Sequence, residues 1–516
     1  MNENLYALLR SRFPVDRSQP AIEAAAGRIY SYAELEDVTA RYAGFIRLLG
    51  VLPGDRVAVQ VEKSPEALFL YLACLNAGAI YLPLNSAYQE GEIDYFLGDA
   101  EPKIFVHQPK SAGWATALCG RRGIAHHFVL PAADDYTPIG SGSRRWTNNA
   151  MGAAPMREIA DRHGDDLAAI LYTSGTTGRS KGAMISHKNL ASNALTLHQY
   201  WGFLPGDVLL HVLPLFHVHG LFVACHTALL NGSKMIFHAK FNARDTIEAL
   251  PRATVFMGVP TMYSRLLAEA SFTSETCRNM RLFISGSAPL LAETFHDFRA
   301  RTGQTILERY GMTETGMITS NPLAGERIGG TVGMALPGVA VRVVEDGDDG
   351  KPCAVDGIGH LQVKGDNVLS GYWRLPEKNK EEFTADGFFK TGDVGKIDAR
   401  GYVTIVGRSK DLVISGGYNV YPKEIELLID ELEGVAESAV IGLPHPDFGE
   451  AVAAVVVETV PGAGPSEASV IAALKGKLAA FKVPKRVFIV DHLPRNTMGK
   501  VQKNELRTRY ATTFSA

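Results

Sequence analysis

The sequence predicts an α/β fold, because stretches typical of strands and helices alternate along most of its 516 residues. Strand 56–61, helix 65–77 and strand 80–84 form the first such unit, and this order favours a parallel, doubly wound sheet. Between about 330 and 407 the strands become short and Gly/Asp turns appear, which predicts a small antiparallel β-barrel. Beyond Arg408 a separate α+β unit of about 100 residues begins, an ordinary domain size.

Local signals mark the ends of the individual elements. Ser31 and Glu34 form a capping box before a helix that ends at Gly50. Residues 133–165 lack periodicity and predict a long surface loop. After residue 183 the alternation resumes, with a buried helix predicted over 221–230, a helix over Pro422–Leu432 and a further helix after the loop at 461–465. The strands predicted there are Asp207–Leu213, Lys234–Phe237, Thr254–Val259, Met280–Ser285, Thr305–Arg309, Glu437–Gly442, Val452–Glu458 and Val487–Val490.

The composition is that of an ordinary globular protein, with 46% hydrophobic and 21% charged residues. The formal net charge of −3 gives no case for nucleic acid or an anionic membrane as partner. No apolar run approaches the roughly 20 residues of a membrane span, and no secretory signal is visible. Because the five cysteines lie far apart, we expect reduced thiols and a cytoplasmic protein. The sequence leaves the choice between monomer and homodimer open.

The densest cluster of anion-binding groups is the segment Tyr172–Gly182. It lies between two apolar stretches, Leu167–Leu171 and Ala183–His187, and contains three glycines, five Ser/Thr hydroxyls and the cations Arg179 and Lys181. Glycines let the backbone approach an anion, and hydroxyl and backbone N–H groups donate to phosphate oxygens. The alternative is a solvated Gly/Ser/Thr hairpin. Neither the Walker A pattern nor the dinucleotide-binding glycine pattern fits the segment.

This segment resembles the phosphate-binding loop of the adenylate-forming superfamily, which includes acyl-CoA synthetases, luciferases and the adenylation domains of peptide synthetases. The resemblance implies that the loop cradles the β- and γ-phosphates of ATP. The loop residues that it assigns to ATP are Thr173, Ser174, Gly175, Thr176, Thr177, Gly178, Arg179, Ser180 and Lys181.

A second candidate cluster, Tyr310-Gly311-Met312-Thr313-Glu314, ends a predicted strand. Ligands of open α/β sheets bind beyond the carboxyl ends of strands; a tyrosine can stack on a purine, and a glutamate can hold Mg²⁺. A core tyrosine and a helix-capping glutamate are the alternative. The string matches the superfamily's second signature, which implies a metal site at Glu314 and Thr173. The further ATP-binding residues that the resemblance implies are Ser287, Ala288, Glu308, Arg309, Tyr310, Gly311 and Thr313.

The remaining signature positions lie in the last quarter of the chain. A carboxylate at Asp393 has the chemistry to accept from both ribose hydroxyls, although an aspartate in a turn is more often a local cap. The resemblance implies a ribose contact for Asp393, a nucleotide contact for Arg408, a hinge at Lys410 and the role of catalytic lysine for Lys500. The loop implied for the thioester step contains Ser415, Gly416 and Gly417.

Because these signatures follow the superfamily's order over essentially the whole chain, the resemblance implies a reaction. A carboxylate is activated by ATP and Mg²⁺ to an acyl-adenylate with release of pyrophosphate, and CoA then displaces AMP. It also implies an N-terminal adenylation domain of two doubly wound sheets plus the small barrel, residues 1–407. The resemblance further implies a small mobile C-terminal domain, residues 408–516, which would present a different face to the N-terminal domain in each of the two reaction steps.

The residues predicted to surround the acid include polar side chains, whereas a fatty-acid pocket should be apolar. Arg281 begins the strand that ends at Ser285–Ala288, and an arginine can pair with a second substrate carboxylate. A surface ion pair is the alternative. Three strings look closely like those of malonyl-CoA synthetases, and this implies that Arg281 anchors the distal carboxylate, His217 lines the tunnel, and Val218 and Met312 border the central carbon. The strings are Arg281–Pro289, Leu307–Thr315 and Pro494–Lys503.

The leading hypothesis is therefore a malonate–CoA ligase, with its use of methylmalonate left open by Val218. An acyl-CoA ligase for another short or medium carboxylic acid is the second enzyme hypothesis. A catalytically silent nucleotide-binding paralogue is the non-enzyme alternative, against which Lys500, Glu314 and Asp393 argue. A module that loads a separate carrier protein is a further alternative.

Overall fold

The computed structural model describes residues 2–24, 27–132, 144–173, 180–347, 350–415, 418–475, 477–496 and 499–514. The chain forms two compact units, called unit 1 and unit 2 below. Unit 1 comprises Met1–Ala340 and Lys364–Phe383, and unit 2 comprises Val341–Val363 and Thr384–Ala516. The predicted mixed α/β fold, with a large N-terminal part and a small C-terminal part, is confirmed. The domain boundary at 407/408 stays a prediction.

Unit 1 is built on two mainly parallel sheets. The strands are β1 Pro20–Ala24, β2 Ile29–Ser31, β3 Arg56–Gln60, β4 Ile80–Pro83, β5 Ile104–His107, β6 His126–Val129, β7 Leu167–Thr173, β8 Lys181–Ser186, β9 Val208–His211, β10 Lys234–Phe237, β11 Val255–Gly258, β12 Leu282–Ser285, β13 Ile306–Met312, β14 Gly316–Ser320 and β15 Met334–Ala335.

The helices of unit 1 cover these sheets. They are α1 Leu5–Ser11, α2 Tyr32–Leu48, α3 Pro65–Ala77, α4 Glu90–Ala100, α5 Ala112–Arg122, α6 Trp146–Met151, α7 His187–Tyr200, α8 His226–Asn231, α9 Ala243–Ala249, α10 Pro260–Leu267, α11 Ala292–Thr302 and α12 Pro376–Glu382.

The strand order places the carboxyl ends of several parallel strands side by side. The nine-stranded sheet has the order β15-β14-β13-β12-β11-β9-β10-β1-β2, and the six-stranded sheet has the order β6-β5-β3-β4-β7-β8. Strands β9 to β13 of the larger sheet pair in parallel. Its core contains Phe283 packed edge-on against Phe298, with ring centroids 4.9 Å apart.

Local sequence signals predicted the helix ends well. The Ser31 capping box is present with Glu34 as its partner. Gly50 follows the same helix with φ 79°, a left-handed conformation that a glycine adopts without steric strain. The strands predicted after residue 183 are all present, with slightly shifted ends.

Two local predictions are wrong. Helix α6 lies inside the predicted loop 133–165, because Trp146 is fully buried against Tyr42, Phe45 and Phe128. The segment expected to be one helix after residue 220 begins as a π-helix, His219–Cys225, which runs into α8. Such π-helical turns occur frequently at functional sites.

Unit 2 contains a four-stranded and a five-stranded sheet, ordered β16-β17-β18-β19 and β21-β20-β23-β22 with β24 on β23. The strands and helices that lie wholly or mostly in unit 2 are β16 Val339–Val344, β17 Gly359–Gly365, β18 Phe389–Ile397, β19 Val403–Arg408, β20 Val413–Ser415, β21 Tyr418–Val420, α13 Pro422–Asp430, β22 Val435–His445, β23 Gly449–Glu458, α14 Glu467–Lys475, β24 Arg486–Val490 and α15 Lys503–Arg509. Among the described residues of both units, no helix is long and apolar enough to cross a membrane.

Candidate active site

The candidate site of unit 1 begins where β12 and β13 end. These strands pair in parallel with Ser285 opposite Glu308, so the residues that follow them meet at one edge of the sheet. Beyond β12 lie Gly286 and Ser287, and the last residues of β13 are Arg309 to Met312. Ligands of open α/β sheets bind at this edge.

Arg309 supplies a buried positive charge at this edge. Its side chain fills the space beside Gly286, where an added Cβ would lie 2.4 Å from the guanidinium carbon. Within the described part of the chain, its Nε and Nη2 atoms are buried without a hydrogen-bond partner. Burial lowers the pKa of Arg309 to about 9, so the guanidinium stays charged at neutral pH. Within the described part of the chain, the guanidinium therefore has donors to spare, although the charge of Glu308 acts on it.

Two histidines lie next to this cation. His219 is fully buried, its Nδ1 lies 3.3 Å from Ser287 Oγ, and its backbone N–H donates to His217 Nδ1 over 3.2 Å. Burial and the charge of Arg309 lower the pKa of His217 to about 4 and that of His219 well below its usual value. Both imidazoles are therefore neutral and do not offset the charge of Arg309, on which the carboxylate of Glu308 acts from nearby. The group fits a carboxylate, which an arginine can bind through two N–H donors.

The structure does not place Arg281 at this edge, and the predicted role of this residue needs correction. Arg281 precedes the first residue of β12, so roughly 13 Å of strand separate it from Ser285 at about 3.3 Å per residue. Its Nε donates to Asp207 Oδ1 over 2.7 Å, and its Nη2 contacts the other carboxylate oxygen. Asp207 is buried, so Arg281 is one half of an ion pair, the alternative that the sequence had left open.

Val218 and Met312 take different positions. Val218 is buried and lines a small cavity together with Phe222 and Thr313. Met312 ends β13 and is partly buried. The structure thus brings Val218 and Thr313 to one cavity wall, and the predicted contact of Val218 and Met312 with the substrate stays a prediction.

Replacing Gly286 by alanine should weaken use of the acid that Arg309 binds. The new methyl group would overlap the guanidinium carbon at 2.4 Å, so Arg309 would have to move. We expect the KM for that acid to rise about tenfold, the equivalent of one lost charged hydrogen bond, while the KM for ATP changes little. Steady-state kinetics with each substrate varied in turn would measure the two effects. An unchanged KM for the acid would contradict the placement of Arg309.

A carboxylate and a hydroxyl suited to a metal meet elsewhere in unit 1. Buried Glu314 accepts hydrogen bonds at Oε1 from Thr173 Oγ1 and from Tyr372 OH, each over 3.1 Å. Carboxylate and hydroxyl oxygens are the ligands that Mg²⁺ prefers, alongside phosphate oxygens and waters. Among the described residues, no group of three or more His, Cys, Asp or Glu side chains could hold a metal by itself. The donor set therefore fits an ion that also binds a phosphate.

The predicted phosphate loop is described only at its ends. Ser174 to Arg179 lie outside the described residues. Lys181 is placed with its Nζ 3.0 Å from Glu382 and 4.3 Å above the ring of Tyr372. Tyr372, which contacts both Lys181 and Glu314, is a residue that the sequence reasoning missed. Its only signal was a Ser-Gly-Tyr-Trp turn far along the chain.

The other nucleotide positions predicted in unit 1 lie at the same sheet edge. Ser287 has φ 74°, an unusual value for a residue with a side chain, and turns the chain after β12. Glu308 is buried and accepts from Leu290 N–H over 3.0 Å. The remaining positions, which are all partly buried, are Ala288, Tyr310, Gly311 and Thr313.

Unit 2 holds a second cluster of predicted residues. Asp393 is buried, and its Oδ1 lies 2.8 Å from Arg408 Nε. Burial and the charges of Arg408 and Lys410 lower the pKa of Lys500 to about 8, although Asp393 and Asp411 oppose the shift. Ser415 is buried at the end of β20, whereas Gly416 and Gly417 lie outside the described residues. The structure therefore brings Asp393, Arg408, Lys410 and Lys500 into one electrostatic cluster.

The comparisons with known proteins agree with this picture. The family model of AMP-binding enzymes matches residues 12–373, and that of their C-terminal domain matches residues 424–500. The chain belongs to the AMP-binding enzyme family.

Three relatives cover most or all of the chain, and the two that are named for an acid differ in that acid. The crystal structure of ATP-bound MatB from Rhodopseudomonas palustris is 55% identical, covers 100% of both chains and has a TM-score of 0.95. The malonate–CoA ligase of Arabidopsis thaliana is 36% identical over 91% of this chain and 79% of its own length. A feruloyl-CoA synthase from an Amycolatopsis species is 35% identical over 96% of this chain and 98% of its own length.

Proposed function

We propose that this protein is an ATP-dependent malonate–CoA ligase, an AMP-forming acid–thiol ligase that makes malonyl-CoA through a malonyl-adenylate. The observation that carries the proposal is the buried guanidinium of Arg309, which has two nitrogen atoms without a partner among the described residues. A diacid offers one carboxylate to pair with Arg309 and a second one to react. The name of the Arabidopsis relative supports the same substrate, and the ATP-bound state of the MatB structure supports the use of ATP.

The distal carboxylate of malonate would bind Arg309, with the neutral imidazoles of His217 and His219 beside it. This pairing fixes the other carboxylate for attack on the α-phosphorus of ATP, and positioning of this kind accounts for much of a phosphoryl or nucleotidyl transfer. The P–O bond to pyrophosphate breaks as the acyl–O–P bond forms. The CoA thiolate then attacks the acyl carbon, and AMP leaves with the bond electrons.

Glu314 and Thr173 would hold Mg²⁺, which supplies charge neutralisation at the departing phosphates. The phosphate loop, including Lys181, would bind the β- and γ-phosphates. Lys181 already has an acidic partner in Glu382, 3.0 Å away, so phosphate binding would replace one anion by another. We assign the remaining nucleotide contacts to Ser287, Ala288, Glu308, Tyr310, Gly311 and Thr313. Arg309, for which the resemblance implied a contact with ATP, is instead assigned to the acid.

In unit 2, Asp393 would accept from the ribose hydroxyls and Arg408 would contact the nucleotide. Lys500 would bind the reacting carboxylate and the α-phosphate during adenylation, when a cation stabilises the charge that develops there. Lys410 would act as the hinge, and Ser415, Gly416 and Gly417 would serve the thioester step. These assignments rest on the signature positions and on the electrostatic cluster around Lys500.

A monocarboxylic acid fits the site less well. An apolar tail placed against Arg309 would leave a buried charge unpaired, a situation that typically costs 3–5 kcal/mol. A catalytically silent paralogue would not need the hydrogen bond between Thr173 and Glu314 or the lowered pKa of Lys500.

The deciding experiment is an acid panel in a pyrophosphate-release assay, with AMP formation measured in the presence and absence of CoA. We expect malonate to give the highest kcat/KM. Methylmalonate in the same panel tests whether the site tolerates a branch beside Val218. Activity with octanoate but not with malonate would overturn the proposal. ATP binding without pyrophosphate release for any acid would favour the silent paralogue.

Location and assembly form part of the proposal. The five cysteines are free thiols, which is consistent with the cytoplasm, a reducing compartment. We propose small-molecule partners only, namely malonate, ATP and CoA, and a monomer or homodimer. Size-exclusion chromatography with light scattering would decide the oligomeric state.

A further inference from the structure

We propose that Lys63 is a positioning residue of the acid site, because it fixes the ring of His211 in the one protonation pattern that holds the His217–Gly220 segment in place. The inference rests on the proposed function for its kinetic consequence. Its structural part, the protonation pattern of His211, is independent of any substrate.

Among the described residues, the buried amine of Lys63 has no carboxylate partner. It lies in the connection between β3 of the six-stranded sheet and α3, and it reaches β9 of the nine-stranded sheet. Its Nζ lies 2.7 Å from His211 Nδ1 and donates to the backbone oxygen of His211 over 2.8 Å. The third side of the amine faces the ring of Phe237, with 4.3 Å to the centroid. Burial lowers the pKa of Lys63 well below its usual value.

These contacts determine which nitrogen of His211 carries the proton. The carbonyl oxygen of Gly220 can only accept, whereas a lysine amine donates when charged and can donate or accept when neutral, so in a neutral ring Nε2 must donate to Gly220 and Nδ1 must accept from Lys63. His211 is fully buried, and burial and the nearby Lys63 lower its pKa well below the usual value, so the ring is neutral. Its single proton is therefore on Nε2, which lies 2.8 Å from the carbonyl oxygen of Gly220. Nε2 donates to that oxygen.

The bond to Gly220 fixes the segment that builds the acid site. Gly220 directly follows His217, Val218 and His219, and an added Cβ at Gly220 would lie 2.0 Å from the carbonyl oxygen of Pro214, so the turn is tightly closed. His219 in turn contacts Ser287, and both His217 and His219 lie close enough to Arg309 for its charge to lower their pKa values. Lys63 therefore influences the positions of the two histidines beside Arg309, through His211 and Gly220.

Without the lysine, His211 would lose the donor at Nδ1. The ring could then carry its proton on Nδ1, and the Nε2 lone pair would face the Gly220 oxygen at 2.8 Å, where two acceptors repel each other. The expected response is a shift of the His217–Gly220 turn away from β9. A general loss of packing would not select this turn, because the hydrogen bonds of Lys63 among the described residues go to His211 and none goes to the turn.

The test is the Lys63→Met variant, which keeps an unbranched chain of similar size but removes the donor. We expect the KM for malonate to rise about tenfold, as for one lost buried hydrogen bond, with the KM for ATP changed less than about twofold. In ¹⁵N spectra of histidine-labelled protein, assigned with His211→Gln, wild type should show His211 protonated on Nε2 and the variant should show added protonation on Nδ1. Lys63→Gln, which retains a donor, should recover most of the wild-type KM and spectrum.

Tyr71→Phe is the matched control. It removes another buried bond to a histidine, from Tyr71 OH to His226 Nε2 at 2.9 Å, in the same region but outside the chain of contacts to Gly220. We expect no change in the KM for malonate. If wild type is active and Lys63→Met leaves both the KM and the His211 spectrum unchanged, the inference is wrong. If wild type does not use malonate, the proposed function fails, and the spectrum alone decides the role of Lys63.

Discussion

An Arg309→Met variant should lose about a thousandfold in kcat/KM for malonate, because the distal carboxylate would be buried without its cation, a loss of roughly 4 kcal/mol. Methionine retains much of the packing beside Gly286 but provides no donor. Propionate, in which a methyl group replaces the distal carboxylate, should not lose activity and should become the better substrate. Pyrophosphate release with both acids, at saturating ATP, measures the inversion.

Arg281→Met provides the matched control for this prediction. The substitution breaks the ion pair with buried Asp207, so we expect a lower melting temperature, because removing one partner of a buried pair typically costs 3–5 kcal/mol. The ratio of malonate to propionate activity should stay as in wild type. An inverted ratio in Arg281→Met, with an unchanged ratio in Arg309→Met, would show that Arg281 binds the distal carboxylate, as expected from the sequence.

The predicted role of Arg281 needed correction because its ion-pair partner cannot be identified from the sequence. The sequence places this arginine at the start of a strand, and the structure agrees. Its partner Asp207 is 74 residues away in the chain and becomes a neighbour only through the parallel pairing of β9, β11 and β12. The sequence signal for Arg309 was present as a Glu-Arg pair in a strand that begins with two apolar residues, but the packing of its guanidinium beside Gly286 depends on tertiary structure.

Local rules predicted more of the fold than of the site. The capping box of α2, the glycine after it and the strand–helix alternation depend on neighbouring residues, and those predictions are confirmed. Helix α6 depends on Trp146 packing against residues from α2 and β6, which no local pattern reveals. Tyr372 and Lys63 were missed for the same reason, because their partners Glu314 and His211 are 58 and 148 residues away.

The second large effect is expected at Lys500. Lys500→Gln should slow malonyl-adenylate formation by about 10²–10³-fold, the usual loss when a preorganised donor to developing charge is removed. The thioester step, started from preformed malonyl-adenylate and CoA, should change little, because the proposed contacts of Lys500 are made during adenylation. Single-turnover formation of adenylate, followed separately from CoA consumption, distinguishes the two steps.

The pH dependence gives this prediction a definite sign. Burial and the neighbouring Arg408 and Lys410 lower the pKa of Lys500 to about 8, so the ammonium is present below that pH and is lost above it. Adenylation should therefore be constant on the acid side and fall as pH rises through about 8. In Lys500→Arg the fall should move to higher pH, because an arginine keeps its charge in this range.

Lys503→Gln tests whether any cation in this stretch has the same effect. Lys503 Nζ lies 2.5 Å from Glu426, so its charge is already matched, and its removal should leave the pH at which adenylation falls unchanged. Adenylate formation by Lys500→Gln at the wild-type rate would remove Lys500 from the mechanism. If the adenylation rate of Lys500→Arg fell at the same pH as that of wild type, the titrating group would be a different residue. The charge cluster around Asp393 would then affect only the affinity for the nucleotide.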